Sequence, residues 1–120
     1  MAVSVHLATL DLTLALSRVG GDVALLREIA QIFLEQYPEI LSDIRRAIAS
    51  RDGPGLERAA HFLKGGVANF GARRASDAAF LLERIGRDGR WEDSARALAD
   101  LETALEKLTP ELTALTPRRD

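Results

Sequence analysis

The segment that decides the fold is Ala60-His61-Phe62-Leu63-Lys64-Gly65-Gly66-Val67-Ala68-Asn69-Phe70-Gly71-Ala72, which has helical periodicity and yet contains two adjacent glycines. A glycine inside a helix costs roughly 1 kcal/mol relative to alanine, so Gly65 and Gly66 together cost about 2 kcal/mol. That is a large cost for a domain of marginal stability. The sequence therefore predicts that something approaches this helix surface closely.

Helical geometry identifies that surface. At roughly 100° per residue, one stripe faces a core, and it contains Leu56, Ala60, Leu63, Val67 and Phe70. His61 lies roughly 140° from the start of this stripe, so its side chain points outward. Lys64 and Gly65 follow on the same face at i+3 and i+4. The imidazole is therefore predicted to stand in a clearing with an ammonium group beside it.

An exposed imidazole in a clearing suits reversible nucleophilic attack on an electrophile that another macromolecule presents. Phosphoryl transfer fits this description, with Lys64 stabilising negative charge in the product. A bare helix face has no cavity for a nucleotide, and the chain lacks the Walker phosphate-loop pattern. We therefore expect no ATP site, and we expect the phosphoryl donor to supply the rest of the chemistry.

Several short motifs carry a family resemblance. The sequence resembles the histidine-containing phosphotransfer (HPt) domains of bacterial multistep phosphorelays in the run His61-Phe62-Leu63-Lys64-Gly65, in Gly71-Ala72, in Leu82-Glu83 and in Arg87. The turn Arg18-Val19-Gly20-Gly21-Asp22 before a long helix with Phe33 also resembles the family. The resemblance covers about residues 10–115. We expect residues 1–120 to form a single domain of this kind with loose termini.

The resemblance implies roles for individual residues. His61 would accept and donate the phosphoryl group, with Lys64 near it, and Gly65 would leave room for an incoming receiver domain. Glu83 matches a position where the family often has Glu or Gln, which would accept a hydrogen bond from the other imidazole nitrogen and fix its tautomer. Arg87 matches a further basic position near the site. Gly66 departs from the usual Ser or Ala and is expected to add flexibility.

The implied function is that of a phosphorelay intermediate. His61 would take a phosphoryl group from the aspartyl-phosphate of one receiver domain and pass it to an aspartate of another response regulator. The expected partners are the receiver domains of a hybrid sensor kinase and of response regulators, and the receiver would supply the divalent metal ion. The chain itself is expected to need no cofactor or metal, to be a carrier rather than an enzyme, and to be a monomer.

Three alternatives stay open. A non-catalytic adaptor bundle would bind receiver domains without accepting phosphate, although an intact His61 argues against it. A sensor-kinase dimerisation bundle would have an acidic or polar residue after the histidine, where this chain has Phe62. A metal or haem bundle would need paired inward ligands, whereas the apolar stripes are aliphatic and the chain has two histidines. We assign no role to the second histidine, His6.

Composition agrees with one globular domain, because 120 residues with 47% hydrophobic and 28% charged content suffice for one core. A formal net charge of -2 and basic runs of no more than two residues give no reason to propose nucleic acid as a partner. Without cysteine there are no disulfides or thiolate metal sites. No signal peptide and no apolar run of about 18 residues is recognisable, so we expect a cytoplasmic protein without membrane contact.

The expected fold is all-α, an antiparallel four-helix bundle with a short additional N-terminal helix over residues 11–19. Asp22 should cap the second helix, which continues to about Ser50 with a kink at Pro38. Apolar residues recur in it at helical spacing: Leu25, Ile29, Ile32, Phe33, Tyr37, Ile40, Leu41, Ile44 and Ile48.

The sequence also places the later helices. After the turn Asp52-Gly53-Pro54, the third helix should end at Gly71 as a left-handed cap, and the fourth should cover residues 72–86 with its alanines inward. The last helix should start at Trp91 and pack through a leucine seam, namely Leu98, Leu101, Leu105, Leu108, Leu112 and Leu115. Pro110 predicts a kink or a restart capped by Thr109, and residues 117–120 are expected to fray.

Overall fold

The computed structural model describes residues 10–116, which form five α-helices and one 3-10 turn. The elements are α1 (Leu12–Arg18), α2 (Val23–Ser50), α3 (Gly53–Ala68), α4 (Arg73–Asp88), the 3-10 turn Trp91–Asp93 and α5 (Ser94–Leu115). Each long helix packs on the next, and α5 also packs on α2, so the four long helices close a ring around one core. The predicted all-α bundle with a short N-terminal helix is confirmed. The predictions for His6 and for residues 117–120 lie outside the described residues.

Each of the first three helices has an aspartate as its N-cap residue. Asp11, Asp22 and Asp52 each accept a hydrogen bond of 3.0–3.1 Å from the backbone N–H three residues later. Such N-caps typically stabilise a helix by about 1 kcal/mol. The helix starts predicted around Asp11, Asp22 and Asp52 therefore have a local cause that can be read from the sequence.

The apolar residues of α2 are divided between core and surface. The core takes Leu26, Ala30, Phe33, Leu41, Ile44 and Ala47. Leu25 and Ile32, which helical spacing placed in the same stripe, are 40% and 51% exposed. Helical spacing alone therefore did not separate core from surface residues, because the face that α2 buries is narrower than its apolar face. The helix runs through Pro38 as one element of 28 residues.

The inward stripe of α3 is confirmed, since all five of its predicted residues are fully buried. The helix ends at Ala68 rather than at Gly71. Gly71 instead adopts a left-handed conformation, with φ of 64°, in the turn that follows. A Cβ atom there would lie 2.6 Å from Cβ of Asp11, so the glycine also allows α1 to pack close to this turn. The Asp11 N–H donates to the Phe70 carbonyl at 2.9 Å, which fixes α1 there.

The last helix differs from the prediction at two points. It begins at Ser94, because the residues from Trp91 form the 3-10 turn, whose Trp91 carbonyl accepts a bond from Ser94 Oγ at 2.7 Å. It does not restart at Thr109 but continues through Pro110. A proline removes one backbone hydrogen bond, while the leucine seam on both sides of it, Leu105, Leu108 and Leu112, stays buried.

Two glycines bring α3 and α4 into close contact. A Cβ atom on Gly86 would lie 2.7 Å from the Gly53 carbonyl oxygen and 2.8 Å from the Glu57 nitrogen. The predicted inward residues of α4 are all buried, namely Ala75, Ala78, Ala79, Leu82 and Ile85. Small residues thus allow the two backbones to approach, and α4 reaches Asp88, beyond the predicted end at residue 86. This close pairing positions the side chains described next.

Within residues 10–116, no helix combines the length and the apolar character that crossing a membrane requires.

Candidate functional site

His61 lies on the outer face of α3, and its side chain is 68% exposed. Its Nδ1 atom is 2.9 Å from Oε2 of Glu83 on α4. An ionised carboxylate only accepts hydrogen bonds, so Nδ1 carries the hydrogen and donates it. A neutral imidazole in this tautomer has its lone pair on Nε2. The arrangement therefore offers Nε2 as a nucleophile on an exposed side chain.

Glu83 is the buried charge of the site, with a side chain only 8% exposed. Burial raises the pKa of this carboxyl, but the contacts with Lys64 and then His61 lower it, and the net result is a lowered pKa. Its Oε1 atom lies 2.8 Å from Nζ of Lys64, while Oε2 faces His61. One ionised carboxylate thus holds two side chains of α3 at once.

Lys64 is 28% exposed and has two partners on α4. Besides the contact with Glu83, its ammonium lies 5.0 Å from the ring centroid of Phe80. The structure therefore brings Lys64 to the site through the shared carboxylate. Phe80 could not be recognised from the sequence, because its contact with Lys64 spans two helices.

Arg87 lies at the edge of the site. Its Nε donates to Oε2 of Glu57 at 3.0 Å, a contact that raises the pKa of the guanidinium, and its Nη2 is 3.9 Å from Oε2 of Glu83. The main partner of Arg87 is thus Glu57, which lies one turn before His61 on α3. No motif in the sequence indicated this contact. Arg84, the residue after Glu83, has its Nε 3.9 Å from Oδ2 of Asp88.

The two neighbouring glycines have different surroundings. A Cβ atom on Gly65 would meet no atom within 4 Å, so an open surface lies beside His61. A Cβ atom on Gly66 would lie 3.2 Å from Cδ1 and 3.3 Å from Cε1 of Phe33. Gly66, expected only to add flexibility, therefore also provides space for an aromatic side chain of α2.

Exposed apolar side chains border the open surface. Phe62 is 61% exposed and Ile32 is 51% exposed. They line a shallow groove of about 350 Å³ between α2 and α3, which His61 and Gly65 also line. The sequence indicated no docking role for either residue, because Ile32 fitted the apolar spacing of α2 and Phe62 served only as the residue that follows His61 in the family motif.

No group of three or more His, Cys, Asp and Glu side chains that could hold a metal ion occurs among residues 10–116. The titratable cluster of the site consists of one imidazole, the carboxylate of Glu83, that of Glu57 at its edge, and nearby cations. It is suited to proton placement and charge stabilisation.

Comparison with known proteins identifies a family for this chain. The family model of the Hpt domain matches residues 28–110. Similar curated proteins include the signal transduction histidine-protein kinase BarA of Shigella flexneri, 31% identical over 105 residues, and that of Escherichia coli strain K12, 30% identical over 105 residues. Each match covers 88% of this chain but 11% of the relative, so the chain spans about a tenth of the length of these proteins. No solved structure matches the chain. Since the family model covers more than half of the sequence, including the helix of His61 and its partner helix, the chain belongs to the Hpt domain family.

Proposed function

We propose that this protein is a phosphorelay intermediate in which His61 carries the phosphoryl group. Membership in the Hpt family supports a histidine phosphotransfer role in general, for a module without a kinase site of its own. One observation carries the specific assignment, the 2.9 Å contact between the exposed His61 and the buried Glu83. It leaves Nε2 as the free nucleophile of an oriented ring.

In the proposed step, Nε2 of neutral His61 attacks the phosphorus of an aspartyl-phosphate in line. The P–N bond forms while the P–O bond to the aspartate breaks, and the aspartate carboxylate leaves with the electron pair. The proton on Nδ1 stays where it is, so the phosphorylated ring becomes cationic and Glu83 stabilises it. Transfer to a second receiver reverses these bond changes.

Lys64 offsets negative charge of the phosphoryl group once it is on the ring. Its ammonium is already at the site, 2.8 Å from the carboxylate that orients His61. The divalent metal ion and the reacting aspartate come from the receiver domain, where most of the charge stabilisation in the transition state takes place. The chain therefore acts as a carrier with no cofactor of its own.

We assign the partners as receiver domains, one of a hybrid sensor kinase and one of a response regulator, which meet this protein as a monomer in the cytoplasm. The relatives are named signal transduction histidine-protein kinases, which supports such a kinase as the source of one receiver. The open surface at Gly65 provides access to His61, and the exposed Phe62 and Ile32 offer apolar contacts beside it. Transient interfaces of this type need only a small area.

The test is phosphoryl transfer from a panel of phosphorylated receiver domains to the parent protein and to two variants. His61→Gln and His6→Gln are matched, because these are the two histidines of the chain. We expect acid-labile, alkali-stable label on the parent and on His6→Gln but none on His61→Gln, with equal helical content by circular dichroism. Label retained by His61→Gln would refute the proposal. Binding of receivers without any label on the parent would instead favour the adaptor.

A further inference from the structure

Phe80 is an exposed aromatic residue whose position is not explained by burial. It lies on α4, one turn before Glu83, and is 45% exposed. Two cations lie near its ring, Lys64 Nζ at 5.0 Å and Arg84 Cζ at 5.8 Å from the centroid. Both distances are within the range of cation–π attraction. The ring therefore has an electrostatic contact with Lys64 of the functional site, while nearly half of the residue stays exposed.

Lys64 is held from two sides by this arrangement. A lysine side chain loses much rotamer freedom when it is fixed in one position, and a second favourable contact helps to offset that loss. Glu83 Oε1 at 2.8 Å and the Phe80 ring at 5.0 Å together define one location for the ammonium. The chain has two lysines among its 16 lysines and arginines, so a compact ammonium here is unusual for this sequence.

We propose that Phe80 is a positioning residue of the phosphotransfer site, which acts by holding Lys64 against Glu83. The inference rests on the proposed function of His61. With Lys64 fixed, Oε1 of Glu83 is neutralised and Oε2 stays available to Nδ1 of His61. The same contact keeps the ammonium close to where the phosphoryl group arrives. Without the ring, Lys64 samples other rotamers, and the ammonium is present at the site for a smaller part of the time.

The direct test observes Lys64 by NMR in protein with isotope-labelled lysine. Two sets of side-chain signals are expected, and Lys107, exposed on α5, provides an internal reference. Protons on the carbon next to the Lys64 ammonium should be shifted upfield by the aromatic ring. Phe80→Leu should move them to the position of the Lys107 signals, whereas Phe80→Tyr, which keeps a ring, should not. Lys64 signals that stay unchanged in Phe80→Leu would refute the proposal.

A second experiment separates positioning from docking. At saturating phosphorylated receiver, Phe80→Leu should slow single-turnover transfer about two- to fivefold, the effect of losing an exposed cation–π contact. Phe80→Tyr should keep the parent rate, and the Kd for the receiver should be the same for all three proteins. In a Lys64→Met background, Phe80→Leu should have no further effect on the rate.

The outcomes are distinguishable. A weaker Kd with an unchanged saturating rate would make Phe80 a docking residue and overturn the inference, as would a full effect of Phe80→Leu in the Lys64→Met background. If the parent protein accepted no phosphoryl group, the proposed function would fail. The NMR comparison would still decide whether Phe80 holds Lys64.

Discussion

The carboxylate of Glu83 lies 2.9 Å from Nδ1 of His61 across the contact between α4 and α3. The carboxylate is 8% exposed and the imidazole is 68% exposed, so a buried group orients an exposed one. Rotation of the ring away from this position would leave one oxygen of a buried charge without its hydrogen bond, which is costly. The imidazole is thereby oriented without being enclosed.

The first prediction concerns the charge of this acceptor. Glu83→Gln keeps the shape and replaces an ionised acceptor by a neutral one, which makes hydrogen bonds of about half the strength. We expect phosphorylation of His61 to slow about tenfold, corresponding to about 1.4 kcal/mol. Imidazole ¹⁵N shifts should also show a smaller population of the tautomer with hydrogen on Nδ1.

The matched control is Glu102→Gln, which removes a charge from the Arg45–Glu102 pair between α2 and α5. It should change neither the rate nor the tautomer. The role of Glu83 would be disproved by a Glu83→Gln protein with the parent rate and the parent ¹⁵N shifts.

The second prediction is a dependence of stability on pH. The pKa of Glu83 is lowered in the folded protein, because Lys64 and His61 outweigh the opposing effect of burial. Between this pKa and the ordinary glutamate value of about 4.3, the unfolded chain binds more protons, so the free energy of unfolding rises with pH in that range. The contribution is complete above the ordinary value and is lost as the pH falls through the folded value.

Urea titrations at a series of pH values would measure this contribution. The decline of the free energy of unfolding on acidification should be smaller in Glu83→Gln than in the parent, whereas Glu102→Gln should follow the parent more closely. Parallel curves for the parent and Glu83→Gln would show that the carboxylate is not stabilised by its partners.

The third prediction compares the two glycines of α3. Gly65→Ala should raise stability by up to about 1 kcal/mol, because alanine favours a helix and its Cβ meets no atom within 4 Å. Gly66→Ala should gain less or lose stability, since its Cβ would lie 3.2 Å from the Phe33 ring. Equal gains in urea denaturation would mean that Phe33 adjusts without cost.

The open surface beside Gly65 also predicts an effect on phosphoryl transfer. Gly65→Gln should leave the fold intact and strongly reduce phosphoryl transfer, because its side chain fills the open surface through which we propose that a receiver reaches His61. A Gly65→Gln protein with undiminished transfer would refute the role of this surface in docking.

The fourth prediction concerns the contact between α3 and α4. Gly86→Ala places a methyl group 2.7–2.8 Å from backbone atoms of Gly53 and Glu57, so the helices must separate. We expect a loss of about 1–3 kcal/mol in the free energy of unfolding, typical of overpacking, together with slower phosphorylation. The free energy of unfolding is therefore expected to fall in Gly86→Ala, whereas it should rise when the same substitution is made at Gly65. A stabilised Gly86→Ala protein would contradict the close contact.

Much of the fold could be predicted because its causes are local. Aspartate caps mark three helix starts, and the apolar stripe of α3 repeats at regular helical spacing, so its residues are all buried. Prediction failed where the packing of several helices determines which apolar residues are buried. Ile32 fits the apolar stripe of α2, yet it lies in the groove beside His61, because the neighbouring helices cover only part of that stripe.

In the candidate site, too, some features follow from local sequence and others depend on helix packing. The shared face of His61, Lys64 and Gly65 follows from their spacing on one helix. The contact of Glu83 with His61 is expected from the family resemblance. The contacts of Phe80 and Glu57 depend on how α4 is rotated against α3, and no local pattern encodes that rotation. It is set partly by the glycine contact between Gly53 and Gly86, whose meaning is visible only when both helices are in place.

The empty space beside Gly65 also constrains the order of events in a relay. It lies on one side of one helix, and a receiver domain that reaches His61 there would occupy the whole approach. We therefore expect donor and acceptor to alternate, so that phosphorylated His61 is bound to neither receiver between two encounters. A signal passing through it would then depend on how quickly each partner dissociates, which gives weak binding an advantage over tight binding.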